Sequence, residues 1–126
     1  MTGTVSNIAA LLARIFLALI FVLAGLNKLQ DQAGTVAYMG MGGVPALLYW
    51  PTVALELVGG LLIIVGFQTR IVALALAAFC LVSAALFHNA LGDQGQFVNF
   101  FKNIAIAGGF LSLFVHGAGG WSLDNR

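Results

Sequence analysis

Residues 46–67 read ALLYWPTVALELVGGLLIIVGF, and after Gln68 and Thr69 a second apolar run, residues 70–91, reads RIVALALAAFCLVSAALFHNAL. These two runs decide the fold. Each has the length a helix needs to cross a hydrocarbon core, roughly 20 residues. The runs must be helical, because open strands would leave backbone N–H and C=O groups unpaired in lipid. The two residues between them allow only a tight antiparallel turn. Pro51 sits in the first turn or two of its helix, where a missing amide donor costs little.

Working outward, two more runs have the same character. The first spans about residues 8–29 and the last about residues 97–116. The chain of 126 residues is 61% hydrophobic and only 7% charged. A water-soluble domain carries about 25% charged residues, so this chain cannot coat a water-facing surface. The expectation is one integral membrane domain over 1–126, an all-α, up-down-up-down four-helix bundle. The turn between the last two spans is read as Gly92 to Gln96. The first connection, residues 30–45, is longer (QDQAGTVAYMGMGGVP). Asp31 can cap a short helix through Met41, and Gly42, Gly43 and Pro45 then end it. That segment is expected at the membrane surface, or as a re-entrant dip.

An N-terminal secretory signal is not expected. The stretch Ile15 to Gly25 could mimic its apolar core, but no basic segment precedes it and three further runs follow. An even number of spans places both termini on one side. Arg14, Arg70 and Arg126 belong to that side, and Lys28 and Lys102 to the other, which favours cytoplasmic termini in a bacterial inner membrane. The scattered cations give no basic patch for nucleic acid. The lone Cys80 cannot form an internal disulfide.

Small residues recur at helical spacing, namely Gly25, Gly59 and Gly60, then Ala73, Ala77 and Ala84, then Ala105, Gly108, Gly109 and Ser112. In lipid such residues let helix backbones approach, which predicts a tight bundle rather than a wide pore. Tyr49, Trp50 and Trp121 fit interfacial belts. Arg14 is expected to reach the headgroups or to pair with Asp124. His116 is expected at the interface near the termini.

Ionisable groups inside spans are costly and mark function. Taking about 1.5 Å of depth per residue, Glu56 falls near the bilayer middle. Lys102 and Asn103, His88 and Asn89, and Asn27 and Lys28 fall in the half opposite the termini. All four helices therefore send polar groups into one half of the bundle. We assign Glu56, His88 and Lys102 as candidate catalytic groups and Lys28, Asn89 and Asn103 as candidate ligand-binding groups. By depth alone Lys102 is the nearest cation to Glu56, within roughly 7 Å along the membrane normal. Such a pair could either fix helix register or serve a ligand or proton site. One glutamate and one histidine are too few for a metal site. The two histidines lie about a bilayer apart, so they cannot share a haem.

The fragments FVLAGLNKL, AYM, GVPALLYW, ELVGGLLIIVGFQTR, ALFHN, QFVNFFKN, AGG and SLD, in this order, resemble the DoxX family of small membrane proteins from Arg14 to Asp124. The resemblance implies a four-helix membrane fold. It also implies a link to redox chemistry. The family takes its name from a membrane subunit of a thiosulfate:quinone oxidoreductase, and other relatives are associated with responses to quinones, catechols and thiol-oxidative stress. The family-like polar positions are Lys28, Glu56, His88, Lys102 and Asn103.

Two functions of different class follow. One is a redox-linked membrane subunit that binds a quinone or similar small aromatic. Lys102, Asn103 and His88 would then be donors and Glu56 a proton shuttle. It would have no intrinsic cofactor, so electrons would come from the substrate or from a soluble or membrane redox partner. The other is a non-enzymatic carrier, receptor or assembly subunit, with homo-oligomers needed for transport. A purely structural subunit, whose polar core only sets packing, is the third reading.

Overall fold

The computed structural model describes residues 3–88 and 90–125. The elements are α1 (Gly3–Gln30), α2 (Gln32–Met41), α3 (Tyr49–Val65), α4 (Thr69–Phe87) and α5 (Gln94–His116). A single 3-10 turn, Ala46–Leu48, leads into α3. Among the described residues, four segments are long and apolar enough to span a membrane: Gly3–Gln30, Ala46–Val65, Thr69–Phe87 and Gln94–His116. The short α2 begins as the residues dictate. Asp31 at its N-cap accepts from the Gly34 amide at 3.0 Å, and the backbone turns left-handed at Gly43 soon after its end.

The helices associate as two pairs. α1 packs along α3 and α4 along α5, while α3 and α4 touch less and α1 meets α5 only briefly. The α3–α4 turn is residues 66–68, with Thr69 already helical rather than in the turn, and its shortness does not make its helices the tightest neighbours. The α1–α3 seam has a regular cause. The buried residues of α1 are Arg14, Ala18, Phe21 and Gly25, spaced four, three and four apart, and Lys28 continues that row. α3 answers with Tyr49, Val53, Glu56, Gly59, Gly60 and Ile63. A Cβ at Gly60 would stand 2.8 Å from Val22 and 3.3 Å from the Ala18 carbonyl, so only glycine allows this approach. Between the pairs, Phe21 meets Phe79 and Phe110 edge-on, with ring centroids 6.2 and 5.5 Å apart.

On α3 and α4, the small residues turn inward as expected. On α5 most of them do not: Ala105, Gly108 and Ser112 are exposed, Gly109 alone of the four packs inward, against Leu17 of α1, and the buried face is Ala107, Phe110 and Leu113. Large side chains fill the wider gap between the pairs, where small ones would leave a void. α4 also ends at Phe87, earlier than residue 91, and α5 starts at Gln94 rather than 97. Asp93 caps α5 by accepting from the Gln96 amide at 3.1 Å, and the Gln96 side chain accepts from the Ala90 amide at 3.1 Å. Two polar side chains thus hold the turn.

The C-terminal tail folds back on the α3–α4 turn. α3 closes with Gly66 at φ 74°, whose amide and that of Phe67 bond back to Ile63 and Leu62, a left-handed helix stop. Leu123 and Asp124 amides then donate to the Val65 and Gly66 carbonyls. The Asp124 carboxylate accepts from the Gln68 and Thr69 amides at 2.8 and 2.9 Å. It caps α4 while holding Gln68 in its left-handed conformation at φ 52°. Arg14 is attracted by the charge of Asp124, as expected, but does not extend outward from the bundle. It is fully buried, and its guanidinium donates to the carbonyls of Ile63, Ile64 and Trp121. Helix C-terminal carbonyls lack intrahelical donors, and this cation supplies them. His116 is exposed at the end of α5.

Candidate functional site

At the other end of the α1–α3 seam lies the second charged contact. Lys28 Nζ stands 2.8 Å from Glu56 Oε1. The Glu56 side chain is 1% exposed and that of Lys28 25%. The sequence expectation of a Glu56–Lys102 pair is thus corrected. Depth along the membrane normal ignores the direction a side chain faces. Lys102 is exposed on α5, while its neighbour Asn103 turns inward with the Ile106, Ala107 and Phe110 row. Tyr49 is corrected too. It is 2% exposed rather than an interfacial ring, and its hydroxyl donates to the Lys28 carbonyl at 2.6 Å. That bond holds the end of α1 against the start of α3 and so sets Lys28 over Glu56. Trp50 and Trp121 remain outward-facing.

Glu56 and Lys28 form part of the wall of a cavity of about 400 Å³ between the two helix pairs. Its apolar wall includes Ile20, Phe21, Phe79 and Ile106, and its polar groups include Thr52, Cys80, Ser83, His88 and Asn103. Tyr38 of α2 stacks on Phe87 of α4, with centroids 4.8 Å apart and planes at 16°, so α2 bridges the pairs at the rim. Lys28, Glu56, His88 and Asn103 thus share one cavity. Lys102 does not line it, and Asn89 lies outside the described residues. A second hollow of about 510 Å³, bordered by Asn27, Gln30 and Asp31, meets the cavity at Lys28, Thr35 and Tyr38. Lys28 stands where this second hollow and the cavity join.

The electrostatics follow from the geometry. Glu56 Oε1 has the ammonium of Lys28, while Oε2 is buried with no hydrogen-bond partner among the described residues. His88 follows the last residue of α4. Partial burial, and secondly the positive charge of Lys102, hold its imidazole below the usual range, so it is a neutral donor or acceptor near pH 7. Cys80 is buried and close enough to Glu56 to feel its charge. Sequence reading passed over it as a site residue. The available signal was depth, since Cys80 and Glu56 both fall mid-span on consecutive helices. Among the described residues, no three His, Cys, Asp or Glu side chains group as a metal site.

The fold and this cavity define a class: a small helical membrane protein with a buried ion pair beside an apolar pocket. The chain belongs to the DoxX family, whose model matches residues 9–89. It is 41% identical over 118 residues to inner membrane protein YqjF of Escherichia coli (strain K12), covering 94% of this chain and 91% of that protein. It is 35% identical over 131 residues to inner membrane protein YphA of the same organism, covering 98% and 94%. A stretch of 80 residues is 38% identical to "Putative oxidoreductase CatD" of Bacillus subtilis (strain 168), covering 64% of this chain and 59% of that protein. No solved structure matches the chain.

Proposed function

We propose that this protein is a redox-linked membrane subunit that holds a quinone, or a similar small aromatic, in the cavity beside Lys28 and Glu56. The observation that carries this reading is the pocket itself: about 400 Å³ of mostly apolar space with a buried ion pair in its wall. An engineered apolar cavity of about 150 Å³ holds benzene, so this one has room for a substituted ring. A few convergent polar groups on an apolar wall are the usual form of a small-molecule site. The relative named as an oxidoreductase supports the redox part, and the names of the two Escherichia coli relatives support placement in the inner membrane. The termini, with Arg14 and Arg70, face the cytoplasm in this reading.

Lys28 hydrogen-bonds a ring oxygen, Asn103 and His88 offer further polar contacts, and Glu56 takes or returns a proton. Electrons come from a separate donor. The test is purified protein in nanodiscs with a quinone and a thiol or sulfur donor, followed by quinone absorbance. The proposal expects ligand-dependent spectral change that Glu56→Gln reduces at least tenfold. Protein that neither binds the quinone nor alters its redox state with any such donor contradicts it.

A further inference from the structure

We propose that the Glu56 site prefers the hydroxyl-bearing, reduced form of its aromatic ligand over the carbonyl-bearing, oxidised form. This rests on the small-aromatic reading above and adds a direction to it. In the ion pair Glu56 is a carboxylate, which accepts hydrogen bonds and donates none. One oxygen faces the Lys28 ammonium at 2.8 Å. The other, Oε2, is buried without a hydrogen-bond partner among the described residues, on a residue that forms part of the cavity wall. An unpaired buried acceptor is destabilising, and more so when charged, so the site favours a ligand that brings a donor. A hydroquinone hydroxyl satisfies Oε2. A quinone carbonyl cannot, and it would set a second acceptor against the first.

The ligand need not be large. The α2 bridge at Tyr38 and Phe87 and the ring of Phe79 bound the space around one ring. Lys28 stays available to the ligand's oxygen through its remaining N–H donors, so both redox forms can enter, but only one completes the bonding of Glu56. Tighter binding of the reduced form also raises the potential of the bound couple, since each tenfold in affinity ratio corresponds to about 30 mV for two electrons.

The experiment uses the purified full chain in nanodiscs at pH 7, titrated anaerobically with tetramethyl-1,4-benzoquinone and separately with its hydroquinone. Both are fully substituted, so neither can add to Cys80. Binding is read by calorimetry. The expected result is at least tenfold tighter binding of the hydroquinone, a preference that Glu56→Gln abolishes because an amide can also donate. This comparison in the unaltered protein needs no variant to fold. Equal or tighter binding of the quinone, as a protonated Glu56 would produce, overturns the inference but leaves the aromatic site standing. Binding of neither form overturns both.

Discussion

Glu56 and Lys28 are unequal halves of their pair, because one is enclosed and the other, partly exposed, borders the second hollow. Lys28→Met strands a buried carboxylate, at a cost of about 3 kcal/mol. Glu56→Gln leaves a lysine that can swing toward Asp31 and Gln30, and should cost nearer to about 1 kcal/mol. Detergent-based unfolding of both variants checks the order, and equal losses would contradict it. His88 gives a pH prediction. With its folded-state value lowered, the unfolded chain takes the proton more readily. The contribution is therefore complete above about pH 6.5 and is lost as pH falls below it, toward the folded-state value. Lys102→Met removes a like charge, so histidine NMR should show the His88 titration moving to higher pH. An unmoved titration would mean that Lys102 does not act on it. Glu56 was legible in the sequence, since any carboxylate in an apolar run stands out. Its partner was not, because Lys28 and Lys102 differ in the direction they face rather than in kind.

Among the elements, the tail that follows α5 acts as a fastener for the α3–α4 turn. The two oxygens of Asp124 hold the amides that open α4. Asp124→Ala should cost about 1 kcal/mol, the usual loss for a helix cap. Hydrogen exchange should quicken at Gln68 and Thr69 first, and a uniform change across all helices would contradict the local role. In α1 and α3, close approach at Gly60 predicts that Gly60→Val separates the helices and weakens the Lys28–Glu56 contact with them. The hairpin, the short α2 and its Asp31 cap were all readable from local chemistry. The end of α4 and the start of α5 were harder, because Ala90 and Leu91 extend the apolar pattern past Phe87 and the turn is held by side-chain bonds made by Asp93 and Gln96. The outward small residues of α5 were illegible for a related reason: spacing defines a stripe, and only packing decides which way it faces.

Across the whole molecule, α1 carries a charge at each end of one buried row. Arg14 and Lys28 are fourteen residues apart, about 21 Å along the helix. Arg14 binds the carbonyls at the end of α3, and Lys28 binds the acid in its middle. The pair α1–α3 is thereby closed at both ends, and the cavity opens where it meets α4 and α5. This two-plus-two arrangement was not legible in the turn lengths, since α1 packs along α3 across the longest connection while α3 and α4, joined by the shortest, touch less. That cavity holds a small aromatic at the ion pair in the function proposed above. Native mass spectrometry of the protein released from its own membrane tests this most directly, with Ser83→Phe, which fills the cavity from α4, as the comparison. A bound molecule with the mass of a quinone or hydroquinone is expected on the unaltered protein, together with its loss from the variant. No such adduct, or the same adduct retained after the cavity is filled, would contradict it.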